Sequence, residues 1–145
     1  RASLLSSIVG VHAFQGTRYT VAGEVPKPQG NHHPSIAPYG LFRCQGGAVQ
    51  ISVGSEGLWH RFCAEFGIDP ALEGFATNPE RVGRREETIA LVERVFADVA
   101  PGDLVTRLEA AGIPCGVVRS LDEVYASPQV RSQGLVIEVD HASLG

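Results

Sequence analysis

An α+β fold, in which an N-terminal helix and a proline-rich linker precede a small α+β domain with a β-hairpin and several helices, is predicted by three observations in this 145-residue chain. Apolar residues recur at helical spacing through residues 4–14. Four of the nine prolines crowd into residues 24–40. Beyond residue 40, short β-compatible runs and amphipathic stripes alternate with Gly, Ser-Pro and Asp-Pro punctuation. The boundaries that follow are a helical segment at 1–23, a linker or ordered loop at 24–40 and a small α+β domain at 41–145.

In the first segment Leu4, Leu5, Ile8, Val9, Val11 and Phe14 share one face of a helix, Tyr19 and Val21 follow, and Gly23 stands where a left-handed C-terminal cap is expected. Arg1-Ala2-Ser3-Leu4-Leu5 opens inside that pattern without a starting methionine or a capping turn, so the chain reads as an excised segment whose apolar face expects a partner. Residues 24–40 hold too much proline for a helix or a central strand. Proline restricts the free chain, so a loop of this length holds one shape without a core of its own, and ordered loops of this length are often functional.

The runs at residues 41–44 and 48–53 flank Gln45-Gly46-Gly47, a hairpin signal because glycine accepts the positive backbone dihedrals of tight turns. Ser55 is the expected N-cap of a helix whose Leu58, Trp59, Phe62, Cys63 and Phe66 form the core stripe, closed by Gly67. Asp69-Pro70 and Asn78-Pro79 both read as helix starts. The second continues through Arg84-Arg85-Glu86-Glu87 into Ile89, Val92, Val95, Phe96 and Val99, with its charges facing water. A helix at about residues 102–111 ends at Gly112, and residues 113–118 are extended. Ser120-Leu121-Asp122-Glu123 is a capping box, Ser127-Pro128 starts another helix, and residues 135–139 read as a closing strand.

Composition excludes several classes. The net charge of -4 with no basic cluster argues against a nucleic-acid partner, whose phosphates require concentrated Lys and Arg. No stretch approaches the roughly 20 apolar residues of a membrane span. Cys44, Cys63 and Cys115 are odd in number and widely spaced, which indicates neither a disulfide framework nor a zinc site and fits a reducing cytoplasm. Cys115, between Pro114 and Gly116, reads as a small buried residue.

His12 and His60 sit on helices where a structural role is the default, and His141 lies near the end of the chain. His32-His33 has no carboxylate or thiol at ligand spacing, so no metal is expected there. There is no GxSxG, P-loop or GxGxxG, and Glu65, Asp69, Glu73, Glu86, Glu87 and Asp98 fall on expected solvated faces or caps. The proline-rich loop is the one segment with the character of a substrate-facing cover.

Three stretches, in order, resemble family III CoA-transferases, the CaiB/BaiF class that includes the α-methylacyl-CoA racemases. They are Thr20-Val21-Ala22-Gly23-Glu24-Val25-Pro26 with Gly30-Asn31-His32-His33-Pro34-Ser35-Ile36-Ala37-Pro38-Tyr39-Gly40; Phe75-Ala76-Thr77-Asn78 with Arg81-Val82; and Ala110-Ala111-Gly112-Ile113-Pro114-Cys115-Gly116-Val117-Val118. Val136-Ile137-Glu138-Val139-Asp140-His141 also fits. The resemblance implies a fragment of a larger two-domain enzyme, a homodimer of subunits threaded like linked rings, with residues 1–23 belonging to the large domain and 41–145 forming the small one. It implies acyl-CoA and a small carboxylic acid as substrates, no permanently bound cofactor, and transfer of CoA through an aspartyl-CoA thioester. The aspartate of that thioester would lie upstream of Arg1, so no residue here is assigned as catalytic. Residues 24–40 would cover the active site, with Gly30, Asn31, His32, His33, Pro34 and Ser35 facing CoA or the acyl group by position. The alternatives are an α-methylacyl-CoA racemase and, for the isolated chain, a non-catalytic assembly domain.

Overall fold

The computed structural model describes residues 2–28, 30–140 and 142–143; the expectations attached to Arg1 and His141 lie outside the described residues. The chain divides into two units, one ending at Gly30 and the other beginning at Asn31, each described by itself.

In the first unit the expected single helix is two, α1 at Leu4–Val11 and α2 at Ala13–Ala22. The break falls at His12 and Ala13, where Ala13 takes a φ of 23°. Gly10 and Gly16 flank it, and glycine weakens a helix by about 1 kcal/mol relative to alanine, so local propensity supplies little resistance to the break. Contrary to the sequence reading, α1 has a cap: the Ser3 hydroxyl accepts from the Ser6 amide at 3.4 Å. Gly23 is the left-handed C-cap expected of it, with φ 71° and its N–H directed to the carbonyls of Arg18 and Tyr19. No residue of either helix is buried, and Leu4, Val11 and Val21 are largely exposed.

The second unit is built on a hairpin. Strand β1, Tyr39–Cys44, pairs antiparallel with β2, Gly47–Ser52, from Tyr39 opposite Ser52 to Cys44 opposite Gly47. Gly46 makes the turn with φ 70°, a conformation that strains other residues. Strand β3, Cys115–Val117, adds antiparallel to β2 and gives the order β1-β2-β3. Side chains alternate across the pleat, so Phe42, Val49 and Ile51 point into the core while Arg43 and Gln50 face water.

Three helices, two of them joined through a short fourth, supply the cover of that face. Ser55 caps α3, Glu56–Phe66, by accepting from the Leu58 amide, and Gly67 closes it in the left-handed region. After α4, Asn78–Gly83, come α5, Arg85–Phe96, and α6, Pro101–Ala110. Their buried residues, Trp59, Phe62, Cys63, Val92, Phe96, Leu104 and Leu108, join the strand residues and Ile113 in one cluster. The aromatic rings pack at offset or edge geometries, with Phe62 and Phe96 centroids 6.0 Å apart and Phe66 and Phe96 5.2 Å apart. The short helices α7, Leu121–Ala126, and α8, Pro128–Ser132, bury no residue.

Several local expectations are corrected. Asp69-Pro70 starts a turn rather than a helix: Asp69 Oδ1 accepts from the Ala71 amide, and the Pro70 carbonyl accepts from the Trp59 indole at 3.3 Å. Thr77, not Asn78, caps α4, with the Glu80 carboxylate accepting from the Thr77 amide and hydroxyl. The helix expected to run through Arg84 is broken there, and the Thr88 hydroxyl donates to the Arg81 carbonyl at 2.9 Å. Residues 135–139 form no strand: their apolar alternation is suited to a pleat, but no described strand runs alongside to complete a ladder, and Leu135, Ile137 and Val139 stay exposed. Cys115 is half-buried, because the short strand β3 lies at the edge of the sheet. Among the described residues no helix is long and apolar enough to cross a membrane.

The packing predicts a contrast measurable by chemical denaturation. Phe62→Ala should destabilise the protein by about 3–5 kcal/mol, whereas Leu121→Ala, at an exposed helix position, should stay within about 0.5 kcal/mol of the parent.

Candidate functional site

Asn31 to Pro38 fold back on the edge strand β1. The His33 amide donates to the Tyr39 carbonyl at 2.9 Å, and the Val53 amide donates to the Pro38 carbonyl at 3.0 Å, so both ends of the segment are tied to the sheet. The Ala37–Pro38 peptide is cis. Gly40 has φ 150°, and a Cβ there would come within 2.6 Å of the Asn31 carbonyl and 2.9 Å of His32 Cα. Only glycine lets the loop lie this close on its own strand.

Five of the six positions singled out from the sequence, Asn31 to Ser35, lie in this folded-back segment, in different roles. Gly30, the last residue of the first unit, has φ 61°. Asn31 and Ser35 are exposed. His32 is half-buried, with its ring edge-on to Phe42 at 5.1 Å. The His33 ring stacks on Tyr39 at 4.9 Å, and its Nδ1 accepts from the Ser35 amide at 3.2 Å. Pro34 contributes its carbonyl to a cation described next.

Three side chains from α4 and α5 hold the loop's backbone. Arg85 donates from Nη1 to the His33 carbonyl at 2.6 Å and from Nη2 to the Pro34 carbonyl at 2.7 Å. Asn78 donates to the Ser35 carbonyl at 2.9 Å and accepts from the Ala37 amide at 3.1 Å. Arg81 donates from Nε to the Ala37 carbonyl at 2.8 Å and from Nη1 to the carbonyls of Phe75 and Ala76. Its Nη2 meets Glu56 Oε2 at 2.9 Å, while Glu56 Oε1 accepts from the Asn78 amide at 2.7 Å.

The Arg81 guanidinium is 1% exposed and lies 4.5 Å from the Trp59 ring centroid. A buried cation persists when its donors are matched and its charge is offset, and here three carbonyls, a carboxylate and an aromatic face do so. Hydrogen bonds to charged groups contribute about 1.5–3 kcal/mol each, so this set outweighs the neutral contacts around it.

Arg81 and Asn78 stand in the second stretch quoted above, but nothing in the sequence connects them to a loop some forty residues earlier. Arg85 was expected in water with Arg84, Glu86 and Glu87; those three are exposed, whereas Arg85 is half-buried and turned to the loop. Glu56 carried no signal beyond its place in the first turn of α3.

None of the three cysteines is activated as a nucleophile. Burial pushes the Cys63 thiol up to about 11, and raises Cys44 and Cys115 as well, so none is poised as a thiolate. Among the described residues no group of three His, Cys, Asp or Glu is placed to hold a metal ion. A groove of about 330 Å³ lies beside Tyr39, over Gln50, Ser52, Pro114 and Cys115, and among the described residues no charged side chain lines it.

Burial, and secondarily the neighbouring Arg85 charge, lower the pKa of His32 below its ordinary 6.5, against weaker opposing effects of Glu93 and the Tyr39 backbone. The neutral ring is thus the form the fold favours, and its contribution is full above 6.5 and lost as pH falls through the lowered folded value. Amide exchange at Asn31 to Ala37, corrected for intrinsic rates, should rise between about pH 7.5 and about pH 5.5, and His32→Gln should flatten that dependence.

Similarity to known proteins fits this geometry. The model of CoA-transferase family III matches residues 1–145. A succinate–glutarate CoA-transferase of Agrobacterium fabrum is 31% identical over 140 residues, which cover 95% of this chain and 35% of that protein. A human succinyl-CoA:glutarate CoA-transferase is 28% identical over 145 residues, covering 99% of this chain and 33% of that one. The chain thus spans about a third of the length of these relatives. A CaiB/BaiF family protein from Brucella suis superposes with a TM-score of 0.77 at 35% identity, over 88% of this chain and 34% of that one. A Mycobacterium tuberculosis protein at 20% identity shares the fold, with a TM-score of 0.79 over 98% of this chain and 37% of its own. With the family matched along its whole length, this chain belongs to CoA-transferase family III.

Proposed function

We propose that the full-length protein transfers CoA between carboxylic acids, with a dicarboxylate such as succinate or glutarate as one of them. The observation that carries this reading is the family match over residues 1–145, supported by relatives named for succinate, glutarate and mesaconate. In this reading residues 1–23 belong to a larger domain, 24–40 cover the active site, and 41–145 form the small domain of an interlocked homodimer working in the cytoplasm. CoA and acyl-CoA are substrates rather than resident cofactors, and no nucleic acid takes part.

An aspartate outside this chain attacks the acyl-CoA carbonyl, releasing CoA thiolate and leaving a mixed anhydride. The thiolate then attacks the aspartyl carbonyl, so the first acid departs as its carboxylate and an aspartyl-CoA thioester remains. The acceptor carboxylate attacks that thioester, regenerates a mixed anhydride and frees the thiolate, which takes the new acyl group and restores the aspartate. Water competes at each activated carbonyl, so a cover over the site protects yield rather than accelerating any bond. Asn31 and Ser35, the exposed polar side chains of the loop, are the ones proposed to meet CoA or the acyl group. His32 and His33 are proposed to shape the loop.

The test is CoA exchange by the full-length protein between succinyl-CoA and a panel of carboxylates, with hydroxylamine trapping of the enzyme-bound thioester and solvent deuterium present. Transfer with trapping, no deuterium at the α-carbon, and no turnover by residues 1–145 alone is the expected result. Deuterium entering the α-carbon without CoA exchange would replace the proposal by the racemase reading.

A further inference from the structure

We propose that Arg85, together with Arg81 and Asn78, positions the loop of residues 31–38 as a preset wall of the site instead of a flap that swings free. This inference rests on the covering role proposed above.

Five backbone groups of the loop are held by side chains 41 to 52 residues further along the chain: the carbonyls of His33, Pro34, Ser35 and Ala37 accept, and the Ala37 amide donates. Every one of these partners comes from α4 or the first residue of α5. The bonds go to main-chain atoms, so they specify the path of the loop whatever side chains it displays. His32 and His33 pack their rings back onto Phe42 and Tyr39, which leaves the exposed Asn31 and Ser35 on the outer side. A swinging flap is held by few bonds, whereas five backbone groups between His33 and Ala37 are taken up here.

Within the set the residues differ in what else they do. Arg81 also ties down the Phe75–Ala76 turn and the Trp59 ring, so its removal disturbs the core. Both guanidinium hydrogen bonds of Arg85 end on the loop. It is therefore the residue whose loss isolates loop position from folding.

In the full-length enzyme, Arg85→Ala should speed amide exchange at Asn31 to Ala37 by at least ~10-fold while core amides of β2 remain unchanged. It should raise hydrolysis of acyl-CoA relative to transfer by about 10-fold, with a smaller change in KM for the donor. Arg85→Lys should recover part of both, since an ammonium reaches one carbonyl but not the planar fork of two. Arg94→Ala, removing an exposed charge from the same helix, is the control and should move neither. Unchanged loop exchange in Arg85→Ala would overturn the positioning role whatever the enzyme catalyses. Faster exchange with an unaltered hydrolysis-to-transfer ratio would overturn the loop's part in excluding water. A wild-type protein that transfers no CoA would remove the transferase reading, and the exchange comparison would still decide the role of Arg85.

Discussion

The buried guanidinium of Arg81 is the interaction on which the second unit's architecture most depends. A cation with 1% exposure is tolerable only where every direction supplies compensation, and this requirement fixes three other pieces of chain at once: the loop at Ala37, the turn at Phe75–Ala76 and helix α3. The Ala37 carbonyl, the Phe75–Ala76 turn, Glu56 at the start of α3 and the Trp59 ring must all arrive together. The Thr88 hydroxyl takes up Arg81's own carbonyl where α4 gives way to α5. Local structure that looks independent in the sequence is thereby tied to one charge.

That tie explains how the loop can stay close to the sheet without a hydrophobic core of its own. Proline narrows the conformations available to the free loop, Gly40 lets it approach the strand, and the α4–α5 side chains take up its carbonyls. Apolar burial begins only at Ala37 and continues through Phe42 into the aromatic cluster. The loop is thus held by directional bonds on one side and anchored to packed residues on the other. Such a surface is well matched to the proposed task of shielding a reactive thioester, in which shape and dryness matter more than an added functional group.

Much of the secondary structure was legible locally. The hairpin with Gly46 at its turn, the Ser55 cap and Gly67 stop of α3, and the Ser120 and Ser127 starts of α7 and α8 are decided by residues within a few positions of one another. Two of the misreadings share a cause. Asp69-Pro70 has the composition of a helix start, yet its carbonyl is claimed by Trp59; residues 135–139 alternate like a strand, yet nothing described pairs with them. In both places a distant partner, present or absent, outweighed a local preference.

The sequence by itself determined the core stripes, the caps and turns, the location of the proline-rich loop and the family, because each is encoded in short-range spacing or in ordered motifs. Only the tertiary structure decided that Asn78 and Arg81 hold the backbone of the loop some forty residues earlier, and that Arg85 faces the loop instead of water. Charge is where the two levels part. An arginine reads the same in a sequence whether its guanidinium is solvated or buried, and only the carbonyls, carboxylate and ring brought together by folding determine which environment it occupies.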